Sequence, residues 1–389
     1  MKDRTLLMIP GPIEFEPAVL SALGAPTTSH TAPDFIEAFG RALTRLREVF
    51  LCPEGQPIVL AGSGTLAMDT AAANLVEPGD KVLVVDTGYF SNRFAAMFER
   101  YGAEVERLSA PVGGAPTAAE VAAGLARRPA KLVSVTQVDT STGVLAPVRE
   151  IAAAAHAHGA LSVVDGVCAV AGEDLRMAEW GVDLALTASQ KAIGVPPGLA
   201  LVVAGPRALK AFRARRTPVA NYYADWANWL PIMEAYEARK ASYFGTPAVN
   251  LVWALDVSLG QILAEGMSAR FARHRRLAAA CRAGIEALGL GVVPTSPELA
   301  AHTMTAPRLP GGVSAADLLP RVARAGAVLA GGLHPQIKSE YFRIGHMGAA
   351  HVGDVLATLA ALEAGLAGCG FGVEAGAAVA AAQKAALAG

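Results

Sequence analysis

The chain has 389 residues, 53% of them hydrophobic, and a formal net charge of −1 at pH 7. This length allows two domains around a large buried core, and the balanced charge provides no basic surface for nucleic acid or an anionic membrane. Every apolar run is shorter than the roughly 18 residues of a membrane span, so we expect no membrane helix. Since neither nucleic acid nor a membrane is favoured as a partner, we expect a protein that acts on a small molecule.

The cysteines and the two ends of the sequence predict a reducing compartment. The four cysteines are far apart and have no metal-binding spacing, so we expect free thiols. The first residues resemble neither a secretory signal nor a transit peptide, and the last three are not a peroxisomal tripeptide. We therefore expect a cytoplasmic protein.

The first 33 residues are rich in proline and lack helical periodicity. They predict an extended N-terminal arm, 1–33, that lies along another surface, with a turn at Pro10-Gly11-Pro12. Apolar residues then recur at helical spacing over residues 34–50, which predicts an amphipathic helix.

A glycine-rich turn follows the next predicted strand, at residues 57–61. Gly62, Ser63, Gly64 and Thr65 lead from this strand into a helix. Free backbone N–H groups and the helix dipole would bind an anion such as a cofactor phosphate there, and the two hydroxyls would add donors.

The same turn also fits a dinucleotide-binding fingerprint. Gly62, Gly64 and Ala67 match G-x-G-x-x-A, and Asp86 ends the following predicted strand. An NAD-dependent oxidoreductase that uses the Gly62-Ser63-Gly64 loop is therefore an alternative function. It would leave the acid and the lysine described below unexplained, and this fingerprint normally opens a domain.

Two later segments bring further side chains to strand ends. Phe90 lies in the first turn of the helix that follows Asp86, where an aromatic residue is typical of a core. A predicted strand at 132–136 is followed by Thr140, Ser141 and Thr142. Such hydroxyls can contact a cofactor or cap the next helix.

Residues 160–198 contain the chemistry around which the chain is organised. Two short apolar runs predict buried strands, the first ending at Asp165 and the second followed by Gln190 and Lys191. In an α/β sheet both strand ends face the ligand crevice. An amine and a carboxylate placed there suit pyridoxal phosphate, because Lys191 would form the resting Schiff base and Asp165 would keep the ring nitrogen protonated.

The C-terminal half contains an aromatic segment, a basic helix and a lone arginine. Residues 217–244 are rich in Trp and Tyr, which is typical of an interface. Residues 268–288 predict a helix with its arginines and His274 on the solvated side, and an α+β pattern follows. Arg343 lies in an apolar strand, where it would bind a substrate carboxylate or form an internal salt bridge.

Eight segments, in order along nearly the whole chain, resemble the class V, fold-type I aminotransferases, and among them the alanine–glyoxylate aminotransferases of the fungal type. They are LLMIPGPI, SHTAPDF, LAGSGTLAMD, VDTSTGVL, VVDGVC, EWGVDLALTASQKAIG, PIMEAYEARKASYFGTP and YFRIGHMG.

The resemblance implies an α/β fold of the fold-type I pyridoxal-phosphate transferases. A large domain at 34–255 would have a mostly parallel central sheet flanked by helices. A smaller α+β domain would follow at 256–370, and an alanine-rich tail, expected to be frayed, at 371–389.

The resemblance also implies the residues of the site. Lys191 and Asp165 would be catalytic, and Arg343, Gly11 and Ser141 would bind the substrate. The cofactor contacts would be Ser63, Gly64, Thr65, Phe90, Ser141, Asp165, Val167, Gln190 and Lys191. Tyr243 and Thr246 would reach the phosphate of the partner protomer, so the site would be complete only in a homodimer.

The reaction implied is a ping-pong transamination from alanine to glyoxylate, giving pyruvate and glycine, and hence a role in glycine biosynthesis. Serine–glyoxylate or serine–pyruvate aminotransferase is the nearest alternative. Pyridoxamine–pyruvate and aminoethylphosphonate aminotransferases share the fold and are less favoured, since a close match to the Lys191 and Arg343 segments is not expected of them. A binding protein without turnover on the same fold also stays open.

Overall fold

The computed structural model of the protein describes residues 5–388. Its helices are α1 (Pro17–Leu23), α2 (Pro33–Val49), α3 (Gly64–Leu75), α4 (Tyr89–Arg100), α5 (Ala118–Arg127), α6 (Val148–Ala157), α7 (Pro206–Arg213), α8 (Trp226–Glu237), α9 (Val249–Glu265), α10 (Met267–Ala287), α11 (Ala315–Arg324), α12 (Val352–Gly368) and α13 (Ala377–Ala388). Its strands are β1 (Leu6–Leu7), β2 (Gln56–Gly62), β3 (Lys81–Asp86), β4 (Glu104–Ser109), β5 (Leu132–Thr136), β6 (Val138–Asp139), β7 (Val144–Leu145), β8 (Leu161–Asp165), β9 (Leu184–Ala188), β10 (Gly198–Ala204), β11 (Met304–Thr305), β12 (Ala327–Val328), β13 (Ala330–Gly331) and β14 (Phe342–Gly345). None of these helices has both the length and the apolar character needed to cross a membrane.

A seven-stranded sheet in the order β2-β10-β9-β8-β5-β3-β4 forms the centre of the large domain. Only β10 runs antiparallel to its neighbours, and the other pairs are parallel. Strands β5, β8 and β9 are buried at every residue, as expected for parallel strands covered by helices on both faces. The predicted mixed α/β fold with a mostly parallel sheet is confirmed.

Two apolar cores underlie this architecture. The first surrounds the central sheet and includes residues from α2, α3, α4 and α8. The second lies among α10, α11, α12 and α13 together with β14. Helix α9 leads from the first core to α10.

The aromatic segment at 217–244 contributes to the core as well as to the surface, in contrast to the predicted interface role. Trp226, Trp229 and Tyr236 on α8 are almost fully buried. Tyr222 and Tyr243 flank them and are 78% and 63% exposed. The sequence shows only the local density of aromatic residues, whereas the burial of each depends on which face α8 turns towards α2.

The predicted solvated side of α10 is wrong for two of its residues. Arg270 and His274 are buried, at 7% and 0% exposure. The Arg270 guanidinium donates to the carbonyl oxygens of Ala171 and Ala192 and to Glu265, so its charge is met inside the protein. Burial, with the neighbouring arginine charges, lowers the pKa of His274 well below its usual value, and the neutral ring accepts from the Gly348 N–H.

Both terminal segments contain a helix that sequence periodicity did not predict. The arm forms α1, and the tail forms α13, which packs against α10. The Glu363 carboxylate of α12 accepts from the Gly376 and Ala378 N–H groups at the start of α13. The expected frayed tail is therefore a docked helix, although residues 1–4 of the arm and residue 389 of the tail lie outside the described part of the chain.

Candidate active site

A cavity of about 180 Å³ lies at the carboxyl ends of β8 and β9, facing the loop that follows β2. Larger clefts of about 390 and 370 Å³ lie where the arm meets the small domain, and Lys191 lines neither. The cavity is lined by Ser63, Gly64, Thr65, Met68, Phe90, Arg93, Val138, Thr140, Asp165, Val167, Gln190 and Lys191. Eight residues predicted to bind a cofactor therefore come together at one place.

Lys191 follows β9 and points its amine at the N-terminal turn. Its Nζ donates to the Pro10 carbonyl, and a Cβ added to Gly11 would lie 2.6 Å from that Nζ. Only glycine permits this close approach, and the backbone φ of +124° at Gly11 is also one that other residues rarely adopt. Burial lowers the pKa of Lys191, which favours the neutral amine that acts as a nucleophile or base.

Asp165 ends β8 on the opposite side of the cavity and is 2% exposed. One carboxylate oxygen accepts from the Val167 N–H at 3.0 Å, and the other accepts from the Thr136 hydroxyl at 3.3 Å. Burial raises the pKa of Asp165 to about 6. A buried carboxylate with so few partners is a strong acceptor for a cationic N–H, such as that of a protonated pyridine.

The glycine-rich loop and Gln190 form the other end of the cavity. Ser63 and Thr65 are exposed at the start of α3, and neither side chain caps that helix. The Gln190 Oε1 atom is buried and has no hydrogen-bond partner within the described residues. Gly64 also approaches closely, since an added Cβ would lie 2.9 Å from Val167. Polar groups that neither cap the helix nor, in the case of Gln190, have a partner fit a phosphate at this helix N-terminus.

Asp139, which the sequence analysis did not single out, fixes the wall that carries Phe90. It is fully buried, and it accepts from the backbone N–H groups of Phe90 and Ser91 at 3.1 and 3.3 Å. Burial raises the pKa of Asp139 even though these donors lower it. The only signal in the sequence was an acid next to the hydroxyl cluster, and such acids also occur in ordinary turns.

Ser141 lies behind this wall rather than on the cavity surface. Its hydroxyl donates to Asp139 at 2.6 Å and accepts from the Tyr89 N–H at 2.9 Å. The neighbouring Thr140 lines the cavity instead. The predicted cofactor and substrate contacts of Ser141 therefore stay predictions, while its visible contacts hold the start of α4.

Arg343 lies on β14 of the small domain and reaches the large domain. Its guanidinium donates to the Gly331 carbonyl at 2.7 Å and to the Thr140 carbonyl at 3.1 Å. Within residues 5–388 it has no carboxylate partner, so the alternative of an internal salt bridge is not supported. Its charge lowers the pKa of Lys191, which places the two cations near each other.

Tyr341, two residues before Arg343 and directly ahead of β14, joins the same two domains. Its hydroxyl accepts from the Leu333 and His334 N–H groups at 2.8 and 2.9 Å and donates to the Ser141 carbonyl. In the sequence, Tyr341 stands beside the apolar strand that contains Arg343. Its full burial could not be inferred from the strand pattern alone.

Tyr243 and Thr246 do not line the cavity of their own protomer. Both are exposed, and the Tyr243 ring packs against His30 at 5.2 Å between ring centroids. Their predicted contact with a partner's phosphate stays a prediction.

The sheet order contradicts the dinucleotide fingerprint. The glycine loop follows β2 at one edge, whereas Asp86 ends β3, which is separated from β2 by four other strands. The Asp86 carboxylate is also occupied by Gly88, Ser91, Asn92 and Ser109. In a dinucleotide site the glycine loop and the acid serve the same ligand, so these two cannot act together.

The sequence profile described as Aminotransferase class-V matches residues 19–347. This chain belongs to the class V aminotransferases. The family is pyridoxal-phosphate-dependent, and the unused Gln190 oxygen, the α3 N-terminus, Asp165 and Lys191 fit that cofactor at its phosphate, ring nitrogen and aldehyde.

Relatives of this class V aminotransferase differ in the amino donor that their names give. Alanine–glyoxylate aminotransferase 1 of Saccharomyces cerevisiae is 39% identical over 360 residues, covering 89% of this chain and 93% of the relative. L-aspartate–glyoxylate aminotransferase of Paracoccus denitrificans is 34% identical, covering 99% and 96%. The crystal structure of pyridoxamine-pyruvate aminotransferase from Mesorhizobium loti matches with a TM-score of 0.93 at 30% identity, covering 99% of this chain and 98% of that one.

Proposed function

We propose that this class V aminotransferase transfers the amino group of a small amino acid, alanine in the first place, to glyoxylate, releasing pyruvate and glycine. The observation that carries the proposal is the Pro10–Pro12 turn, which lies against Lys191 where the donor's Cα must be placed. Phe90 lies on the cavity wall, and we expect the turn and Phe90 together to favour a short donor side chain. The 39% identity to an alanine–glyoxylate aminotransferase supports the same choice.

Each residue has a role that follows from its position. Arg343 binds the donor's α-carboxylate, because its guanidinium has no carboxylate partner and lies near Lys191. Pyridoxal phosphate, when bound, supplies an electron sink for the bond broken at Cα. Lys191 removes the Cα proton and later returns a proton to the reacting system, since its lowered pKa favours the neutral amine.

Asp165 would keep the ring nitrogen of bound pyridoxal phosphate protonated. Its carboxylate is buried and accepts two hydrogen bonds among residues 5–388, so a cationic N–H placed beside it gains a strong charge-assisted bond. This interaction maintains the positive charge towards which electrons move during the reaction.

The proposal includes a homodimer in which Tyr243 and Thr246 complete the partner's site. Ser63 and Thr65 are exposed at the cavity mouth, and Tyr222 and Tyr243 form exposed aromatic surface on the same protomer. An exposed aromatic surface of this kind is typical of an interface.

Serine is the second candidate donor, because Thr140 brings a hydroxyl-bearing side chain to the cavity wall. A serine hydroxyl could hydrogen-bond there at no cost in side-chain volume. Serine–glyoxylate or serine–pyruvate activity would then accompany the alanine reaction.

The test compares kcat/KM for alanine, serine, aspartate and phenylalanine with glyoxylate as acceptor. Alanine or serine should exceed phenylalanine by at least about 100-fold, because a bulky side chain must displace the Pro10–Pro12 turn. Equal values for all donors would contradict the small-substrate proposal. Borohydride treatment should attach the cofactor to Lys191, and Lys191→Ala is the matched control that should lose this attachment.

A further inference from the structure

Arg93 is a second cation of the cavity, besides Lys191, for which the reaction above has no role. It lies on α4, one turn after Phe90. One guanidinium nitrogen is 3.2 Å from the Thr65 hydroxyl, and another is 3.1 Å from the Tyr89 hydroxyl. The guanidinium carbon lies 4.9 Å from the ring centroids of both Tyr89 and Phe90.

The charge of Arg93 has no counterion within residues 5–388. Its polar partners there are two neutral hydroxyls, and no carboxylate pairs with it. A half-buried guanidinium retains strong donors for an anion, and its planar fork suits the oxygens of a carboxylate or phosphate.

Apart from Arg93, the groups at the phosphate end of the cavity supply little of the positive charge that a phosphate requires. A phosphate monoester carries about −1.5 to −2 charges at pH 7. The groups expected to bind it, Ser63, Gly64, Thr65 and Gln190, are all neutral, and the α3 dipole supplies only about half a charge. Lys191 is reserved for the aldehyde. Arg93 already contacts Thr65, which belongs to this end.

We infer that Arg93 is the cation that neutralises the phosphate of pyridoxal phosphate, through the guanidinium edge that now donates to Thr65. Tyr89 and Phe90 hold the flat face of the guanidinium, so the fork is oriented before the cofactor arrives. The inference concerns cofactor binding alone, and it holds whichever amino donor the enzyme uses.

The test measures dissociation constants of the cofactor-free enzyme for pyridoxal phosphate and for pyridoxal, which lacks the phosphate. Arg93→Gln should weaken pyridoxal phosphate by about 10- to 100-fold, the size of a lost charged hydrogen bond, and pyridoxal by less than about twofold. Arg93→Lys should lie between Arg93→Gln and the wild type, because the charge stays but the fork is lost. Added salt should weaken pyridoxal phosphate more in the wild type than in Arg93→Gln.

Arg100→Gln is the matched control, since it removes the same charge from an exposed position on the same helix. It should leave both constants unchanged. Equal losses for pyridoxal and pyridoxal phosphate in Arg93→Gln would overturn the inference and leave Arg93 as support for the aromatic rings. An unchanged affinity for pyridoxal phosphate would overturn it as well. If Arg93→Gln does not fold, the ratio of the two constants in Arg93→Lys decides the question.

Discussion

Two buried carboxylates, Asp165 and Asp139, lie close to the cavity, and they have different partners. Asp165 faces the cavity. The carboxylate oxygens of Asp139 instead accept hydrogen bonds from backbone N–H groups and from the Ser141 hydroxyl. Both carboxylates have a raised pKa because they are buried. Each can therefore be tested by an amide that keeps the shape and removes the charge.

Asp165 should make the cofactor-free enzyme less stable as the pH rises. Burial raises the pKa of Asp165 to about 6, whereas an unfolded chain has about 3.9. The folded state thus binds the proton more tightly, and the free energy of unfolding falls by about 2 kcal/mol between pH 4 and 6 on account of this group. Denaturant unfolding from pH 4 to 7 should show this fall in the wild type and a smaller one in Asp165→Asn. Identical pH profiles would contradict the prediction.

Asp139→Asn should loosen the first turn of α4 while leaving Lys191 in place. The amide keeps one acceptor oxygen, but its NH2 group cannot accept from Phe90, Ser91 or Ser141. The expected loss is about 1–3 kcal/mol in the free energy of unfolding. The visible circular dichroism of the bound cofactor should also change, because Phe90 lines the cavity.

Ser141→Ala provides the graded comparison, since it removes the hydroxyl donor of Asp139 and keeps its three backbone donors. Its effects should be smaller than those of Asp139→Asn in both measurements. An equal or larger effect would show that Ser141, and not Asp139, fixes this wall.

At the scale of elements, α10 connects the small domain to the loop that carries Lys191. Arg270→Met should leave the Ala171 and Ala192 carbonyls without their donor and remove one of the two arginines that pair with Glu265, at a cost of about 3 kcal/mol in the free energy of unfolding. It should also lower kcat, because Ala192 directly follows Lys191. Arg276→Met, at an exposed position of the same helix, should change stability by less than about 0.5 kcal/mol.

The docking of α13 depends on a carboxylate from another helix. Glu363→Gln keeps one acceptor but loses the charge that faces the α13 N-terminus, so we expect a loss of about 1 kcal/mol. Hydrogen exchange over residues 377–388 should become faster, with transaminase activity unchanged. Unaltered exchange there would show that the apolar contact with α10 alone holds the tail.

These elements also show how far sequence reasoning reaches. The strands before Asp165 and Lys191 were predictable, because fully buried parallel strands are short apolar runs that end in polar residues. The burial of Arg270 and His274 was not, since their spacing on α10 fits a solvated face. Their partners are distant in sequence, namely the Ala171 and Ala192 carbonyls for Arg270 and the Gly348 N–H for His274. The docked tail depends in the same way on Glu363, which lies far from the start of α13 in sequence until the fold is formed.

At the scale of the whole molecule, the fold brings one set of strand ends to an open cavity mouth. If Tyr243 and Thr246 complete the partner's site, then a subunit with Lys191→Ala and a subunit with Tyr243→Ala and Thr246→Ala together form one intact site. Coexpression of the two variants should give more activity than either alone. Light scattering should show a dimer in each case.

No gain in activity from this coexpression, in a preparation shown to contain mixed dimers, would contradict the shared site. Loss of the dimer in the double variant would instead assign the two residues to assembly. The proposed donor specificity is independent of this outcome.

The Tyr341 hydroxyl restricts rotation of the small domain relative to the large domain. It holds two backbone groups of the loop at Leu333 and His334 and one carbonyl of Ser141 on the other side. A hinge motion about α9 that moved Arg343 away would have to break the bond between the Tyr341 hydroxyl and the Ser141 carbonyl. It would then disturb Ser141 and, through Asp139, the backbone of Phe90. If Arg343 binds the substrate's carboxylate and Phe90 faces the cofactor ring, as proposed, then these two contacts are coupled through the Tyr341 hydroxyl.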